Sequence, residues 1–189
     1  MSDVSAAAAA AKETDGAGRA PTPLPVAASG WRWLPLSAAV VLVDHLVKAW
    51  IMHHFEPLER VHVLKVLDII LTYNTGAAFS FLAEASGWQR WLFVVLALGV
   101  SLALIAWMRR LSARIHGLLA CGLSLIVGGA LGNLIDRLYI GRVVDFIHVH
   151  WGPAYFPAFN IADSAITIGA IVLLIDAFLE TRAAKATQR

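Results

Sequence analysis

Four stretches of the chain are apolar almost throughout, and polar residues collect between them. They run from about Trp33 to Met52, Trp91 to Met108, Ile115 to Ile135 and Ile161 to Leu179. Each approaches the roughly 20 helical residues needed to cross the hydrocarbon core of a bilayer. Tryptophans at positions 31, 33, 50, 88, 91 and 107 fall near the proposed ends, as an interfacial aromatic belt requires. The pattern predicts an all-α integral membrane protein of four spanning helices. Between the first two helices, VHVLKVLDIILTYN is rich in β-branched and aromatic residues, which predicts a small β-rich cradle at the membrane surface. No internal repeat relates the two helix pairs.

Residues 1–30 break the pattern. They are rich in Ala, Gly, Pro and Thr, and the run Ala6–Ala11 is too short and too weakly apolar for a signal-peptide core. They read as a disordered cytoplasmic tail, so the first spanning helix must direct insertion. The domain organisation expected is a tail over 1–30, a membrane domain over 31–182 and a second cytoplasmic tail over 183–189.

Composition sharpens this picture in one respect. Hydrophobic residues make up 59% of the 189 and charged ones 15%, well away from the soluble-domain average of about 25% charged. A net charge of +2 gives no basis for nucleic-acid binding. The position of the charges is more informative. Lys12, Arg19, Arg32, Arg109, Arg110, Arg114, Arg182, Lys185 and Arg189 all fall on one side of a four-helix bundle. The positive-inside rule then puts both termini in the cytoplasm. The opposite side holds Arg60, Lys65, Arg137 and Arg142, with Arg90 at the boundary, offset by Glu56, Glu59, Asp68 and Glu84.

Ionisable side chains at bilayer depth are costly, so each needs a reason. Asp44 and Lys48 are four residues apart on one helical face, with the acid first, which is the favourable order. They neutralise each other or help to line a polar site near the outer leaflet. Gly128, Gly129 and Gly132 allow close helix approach. Asn133, Asp136 and Arg137 follow at the outward end, where Asp136 is expected to pair with Arg137 or meet water.

Two further acids lie at that same surface. Asp145 interrupts the apolar stretch Val143–Ile147, and Asp163 follows Asn160, a good N-cap, by three residues at the start of the fourth helix. Capping alone would justify Asp163. The intervening HVHWGPAYFPAF is aromatic and proline-bearing, and folding it back would bring the two acids together. Two close carboxylates in a partly dry site share a proton, activate water and protonate a leaving amine. That chemistry needs neither a metal nor a nucleophilic side chain, and no cofactor is expected.

Other chemistries fit less well. His148 and His150 beside Asp145 would hold a metal if extended, but packing of both against Trp151 is the preferred reading. Ser80 and Ser164 lack a base recognisable from sequence, and Cys121 sits inside an apolar run where a thiol is inert. A small ion-coupled transporter using Asp44, Lys48 and Asp136 as a proton relay is the alternative function. Polar residues clustered at one face, rather than spread through the membrane, weigh against it.

The blocks VVLVDHLVKAW (40–50), YNTGAAFSFL (73–82), GGALGNLIDRLYIGRVVDFIHVHW (128–151) and FPAFNIADSAITIG (156–169) resemble bacterial lipoprotein signal peptidases, also called signal peptidase II. In order and spacing they cover about residues 33–180. The resemblance implies a four-helix aspartic endopeptidase of the bacterial inner membrane, with its active site at the periplasmic face. Its catalytic aspartates would be Asp145 and Asp163, supported by Asp44, Lys48, Asn74, Asn133, Asp136, Arg137 and Asn160. Asn74 and Arg137 would orient the substrate backbone or lipid carbonyls. The implied partners are membrane lipid and diacylglyceryl-modified lipoprotein precursors, cut on the amino side of the lipidated cysteine. The expected state is a monomer. The segment Asn74–Phe81 and the β-rich region would form a cover over the site.

Overall fold

In the computed structural model of the chain, residues 25–76 and 87–187 are described. The elements run α1 (Leu34–His54), β1 (Arg60–Leu64), β2 (Leu67–Asn74), α2 (Trp88–Met108), α3 (Gly117–Tyr139), β3 (Val143–Trp151), β4 (Ala154–Tyr155) and α4 (Ile161–Thr187). All four helices are long and apolar enough to span a membrane. Leu46, Val95 and Leu174 are among the many large apolar side chains left exposed on them. A water-facing surface of that kind would be untenable, whereas lipid solvates it at no cost.

The helices start and stop for local reasons. Pro35 stands in the first turn of α1, where its missing N–H costs nothing. Short 3-10 turns at Val26–Ala28 and Gly30–Trp33 lead into it. Ser29 and Gly30, assigned by sequence to the tail, are buried, and Gly30 N donates to Leu111 O at 2.9 Å. Residues 1–24 of the expected tail lie outside the described residues. The fourth helix continues past Leu179 to Thr187, because its polar extension ETRAAKAT has good helix formers.

α3 is the hub, packing against α1, α2 and α4. Small residues make this possible. A Cβ on Gly128 would lie 2.9 Å from Ser37 O in α1, and one on Gly129 would collide with the carbonyl oxygen of Ala162 in α4. Gly122 and Gly169 face each other's carbonyl oxygens across the same α3–α4 seam. Close approach through small residues is how membrane helices gain packing energy in lipid. Gly129→Ala should therefore lower stability by about 1–3 kcal/mol through overpacking against fixed backbone. Gly99→Ala, where a Cβ meets nothing within 4 Å, should be neutral or slightly stabilising. Thermal unfolding of the two variants checks the contrast.

At one end of the bundle the strands form an antiparallel sheet in the order β1-β2-β3-β4. It differs from the cradle expected between the first two helices, because half of its strands come from the connection between α3 and α4. β3 pairs with β2 through Asp68↔His148 and, after a register shift, Thr72↔Asp145 and Asn74↔Val143. Ile51 of α1, Leu71 of β2, and Val144 and Phe146 of β3 make the apolar core that seats the sheet on the helices. A second cluster of Met108, Leu111 and Leu123 closes the opposite end, with Trp31 and Trp33 against it.

Candidate active site

The sheet and the helix ends bring together the two acids and the polar residues expected to support them. Asn160 precedes α4 and is fully buried. Its Oδ1 accepts from Asp163 N at 2.8 Å, while Asp163 Oδ2 accepts from Asn160 N at 3.3 Å. This is the reciprocal arrangement of a capping box. Capping therefore accounts for one oxygen of Asp163. The other, Oδ1, accepts from Asn133 Nδ2 at 2.7 Å.

Asp145 reaches the same place from β3. Asn160 Nδ2 donates to Asp145 Oδ1 at 2.8 Å and also lies 3.1 Å from both Asn133 Oδ1 and Val144 O. Two amides thus link the carboxyl groups in the order Asp145, Asn160, Asn133, Asp163. The folded-back segment between the acids achieves this: β3 reverses at Gly152, whose φ is +57°, into β4 and then returns to the membrane surface. Asn74, at the end of β2, makes a further hydrogen bond to Asp145.

Burial acts most strongly on Asp145 and, with the charge of Asp163, pushes its pKa up to about 7. Hydrogen bonds from Asn74 and Asn160 and the charge of Lys48 oppose the rise. The cause is the ordinary one: two carboxylates in a poorly solvated place do not both ionise easily.

Beneath the two acids lies a buried charge network. Lys48 Nζ is 2.7 Å from Asp44 Oδ2 and 2.7 Å from Asp136 Oδ2, and it donates to Asn133 Oδ1 at 3.3 Å. The expected Asp44–Lys48 pair is present. Asp136, however, pairs with Lys48 rather than with Arg137, because adjacent residues on a helix point in different directions. Each acid then ties down another element. Asp44 Oδ1 accepts from Ala162 N at 2.9 Å, in the first turn of α4, and Asp136 Oδ2 accepts from Val144 N at 3.1 Å, in β3. The residue just before each of Asp145 and Asp163 is thus held by this network.

Arg137 turns the other way. Its Nη1 donates to Asn133 O at 3.2 Å and its guanidinium lies 4.9 Å over the Phe93 ring, within electrostatic reach of Asp163, Asp145 and Asp136. His45 was not singled out by sequence, yet its Nε2 lies 3.7 Å from Asp136 Oδ1. Its signal was present, as a polar residue next to Asp44 in an apolar span.

The competing readings fare differently. His148 and His150 do not hold a site with Asp145, and they do not pack on Trp151, which is 81% exposed. Both stack instead on Tyr155, at 4.9 and 5.1 Å. Alternate strand residues share a face, and the turn at Gly152 pairs β4 beside β3 with Tyr155 directly across from His150, so the Tyr155 ring joins that face and Trp151 is left on the other. Ser164 Oγ donates to Asn160 O at 2.9 Å, a helical back-bond. Ser80, and the part of the expected cover from Ala77 to Phe81, lie outside the described residues.

Two clefts flank the acids. One, of about 410 Å³, is lined by Ile70, Tyr73, Asn74, Asp145, His148 and Pro157 on the sheet side. The other, of about 360 Å³, is lined by Phe156, Phe159, Asp163, Ser164, Thr167 and Ile168 and follows α4 toward the membrane. An acid at the edge of each gives access from a polar and an apolar side.

Comparison with known proteins places this architecture. Residues 36–179 match the family model described as signal peptidase (SPase) II. A lipoprotein signal peptidase of Shewanella sp. (strain MR-4) is 49% identical over 154 residues, covering 82% of this chain and 90% of that protein. One of Pseudomonas fluorescens (strain Pf0-1) is 49% identical over 156 residues, covering 82% and 91%. Among solved structures, a bacterial membrane enzyme determined by the in meso method matches with a TM-score of 0.69 and 32% identity, over 80% of this chain and 90% of that one. The four spans, the sheet at one end and the relatives agree: the chain belongs to the signal peptidase II family, the peptidases that remove the signal peptides of lipoproteins.

Proposed function

We propose that Asp145 and Asp163 are the catalytic pair of this peptidase and share one proton, with Asp145 carrying it near neutral pH. The observation that supports this best is the amide relay of Asn160 and Asn133, which joins two carboxyl groups from separate chain segments at one end of the bundle. Asp163 takes a proton from water as the water oxygen attacks the scissile carbonyl. Asp145 protonates the carbonyl oxygen; as the C–N bond breaks, Asp163 gives its newly gained proton to the departing amine and Asp145 regains one from the collapsing gem-diol. The supporting roles fall to Asp44, Lys48 and Asp136, which fix the backbone around both acids, and to Asn133 and Asn160, which orient them. Asn74 and Arg137 orient the substrate backbone or lipid carbonyls. Among the described residues, the candidate Ser164 is engaged in its back-bond to Asn160 O, and the transporter alternative draws no support from the relatives.

The substrate is a lipoprotein precursor whose cysteine carries a diacylglyceryl group, cut on the amino side of that cysteine. The apolar cleft along α4 suits acyl chains, and the cleft beside Asp145 suits an extended peptide. Acyl chains held in the bilayer would fix the scissile bond at the depth of the acids. The protein works as a monomer in the bacterial inner membrane. Its chain termini are cytoplasmic and its acids face the periplasm. The basic residues Arg109, Arg110 and Arg114 support that orientation, since they lie in the α2–α3 connection at the bundle end remote from the sheet.

The pH dependence of cleavage tests the proton assignment. Asp145 holds its proton below about 7 and loses it above, so kcat/KM should fall on the alkaline side with a midpoint near there. The Asn74 hydrogen bond favours the ionised form, so Asn74→Ala should move the midpoint to higher pH as well as slow turnover. A midpoint that stays in place in this variant would remove Asp145 as the proton carrier.

A further inference from the structure

The outer face of the sheet gathers a second set of titratable side chains that the peptidase chemistry does not use. Asp68 in β2 is fully buried, an expensive position for a carboxylate. His62 of β1 lies directly across from it in register, and its Nδ1 comes to 2.6 Å from Asp68 Oδ1. From β3, His150 Nε2 comes to 3.3 Å from the same oxygen. The three ligating atoms all lie within 4.8 Å of one another. His150 Nε2 is buried, and no hydrogen bond satisfies it among the described residues. Asp68 Oδ2 faces Arg60 Nη1 at 3.6 Å, so Oδ1 is the oxygen turned toward both histidines. Burial alone would raise the Asp68 pKa, but its contacts with His62 first and His150 second outweigh burial and hold it below the usual carboxylate range.

From this geometry we propose that His62, Asp68 and His150 bind a single divalent transition-metal ion, with zinc the ion best suited to them. Two imidazoles and one monodentate carboxylate make a donor set that zinc takes readily, with a fourth position open to water. In a tetrahedral site with ligands at about 2.1 Å, ligand atoms stand about 3.4 Å apart. The His150–Asp68 separation already matches that value. His62 must withdraw by somewhat under 1 Å, and it is free to do so: its side chain is 74% exposed and sits on the edge strand. Ring stacking on Tyr155 fixes the His150 imidazole. Among the described residues, the Arg60 guanidinium is the cation paired with Asp68 and so set against the ion. It lies 4.9 Å over the Tyr155 ring and approaches only the outer oxygen of Asp68. Once bound, the ion ties β1, β2 and β3 together and stiffens the sheet whose inner strands carry Asn74 and Asp145.

Titration of Zn²⁺ into the purified full chain, free of any polyhistidine tag, tests the site by calorimetry, with thermal unfolding alongside. The wild type should bind one ion per chain and unfold at a higher temperature as zinc is added. His62→Ala, at an exposed position where folding is not at risk, should weaken binding at least about tenfold, and His150→Ala should do the same. His53→Ala and His54→Ala, exposed histidines outside the cluster, should leave it unchanged. Wild-type protein that takes up no zinc saturably, or binding that survives both His62→Ala and His150→Ala, would overturn the proposal. Neither readout depends on Asp145 and Asp163 being catalytic.

Discussion

Lys48→Met should destabilise the bundle by about 3–5 kcal/mol, the usual cost of breaking a buried ion pair by removing one partner. The arithmetic of the site explains the size. Lys48 is 1% exposed and is the cation between two buried acids, Asp44 and Asp136. Methionine fills much the same volume, so packing is nearly conserved while both carboxylates lose their counter-charge. The damage spreads because Asp44 caps α4 through Ala162 and Asp136 holds β3 through Val144. For a chain of this length the loss corresponds to a fall of roughly 6–20 °C in the unfolding midpoint. Asp44→Asn should cost less, since Lys48 keeps Asp136 and the amide oxygen still accepts from Ala162. Thermal unfolding in detergent measures both. An unchanged midpoint in Lys48→Met would mean that the triad is not the support described here.

Much of this was written in the sequence, though unevenly. The four spans were legible because membrane depth demands long apolar runs, and composition alone reveals them. Their ends were less so. Apolarity reports how far a helix is immersed and not how far it is helical, which is why α4 outruns its apolar stretch by two turns. The convergence of Asp145 and Asp163 was legible from their common surface and the aromatic segment between them. Their amide relay was not, since Asn133 and Asn160 join across a fold that no local pattern encodes. Pairings between distant segments escaped for the same reason. Asp136 finds Lys48, 88 residues away, rather than its neighbour Arg137. The β3 strand was legible in part: the alternation HVH marks an extended segment, but β3 joins the strands between the first two helices in one sheet. His62, Asp68 and His150 meet only because of that sheet, and nothing in their spacing announces it.

Asp145→Asn and Asp163→Asn should each slow cleavage by about 10²- to 10⁴-fold, the range that general acid–base groups supply. Asparagine keeps the size of the side chain and the acceptor oxygen for Asn160 or Asn133, but it can neither hold nor take the shared proton. Stability should be little changed or slightly raised, because one charge leaves a crowded buried pair. Loss of rate without loss of fold is therefore the signature, and it separates these positions from Lys48. The decisive measurement is turnover of a diacylglyceryl-modified precursor peptide by purified wild type, Asp145→Asn and Asp163→Asn, each shown to be folded by its unfolding midpoint. Wild type should cleave on the amino side of the lipidated cysteine, and both variants should lose nearly all turnover. Near-normal turnover by either variant would contradict the catalytic pairing of the two acids.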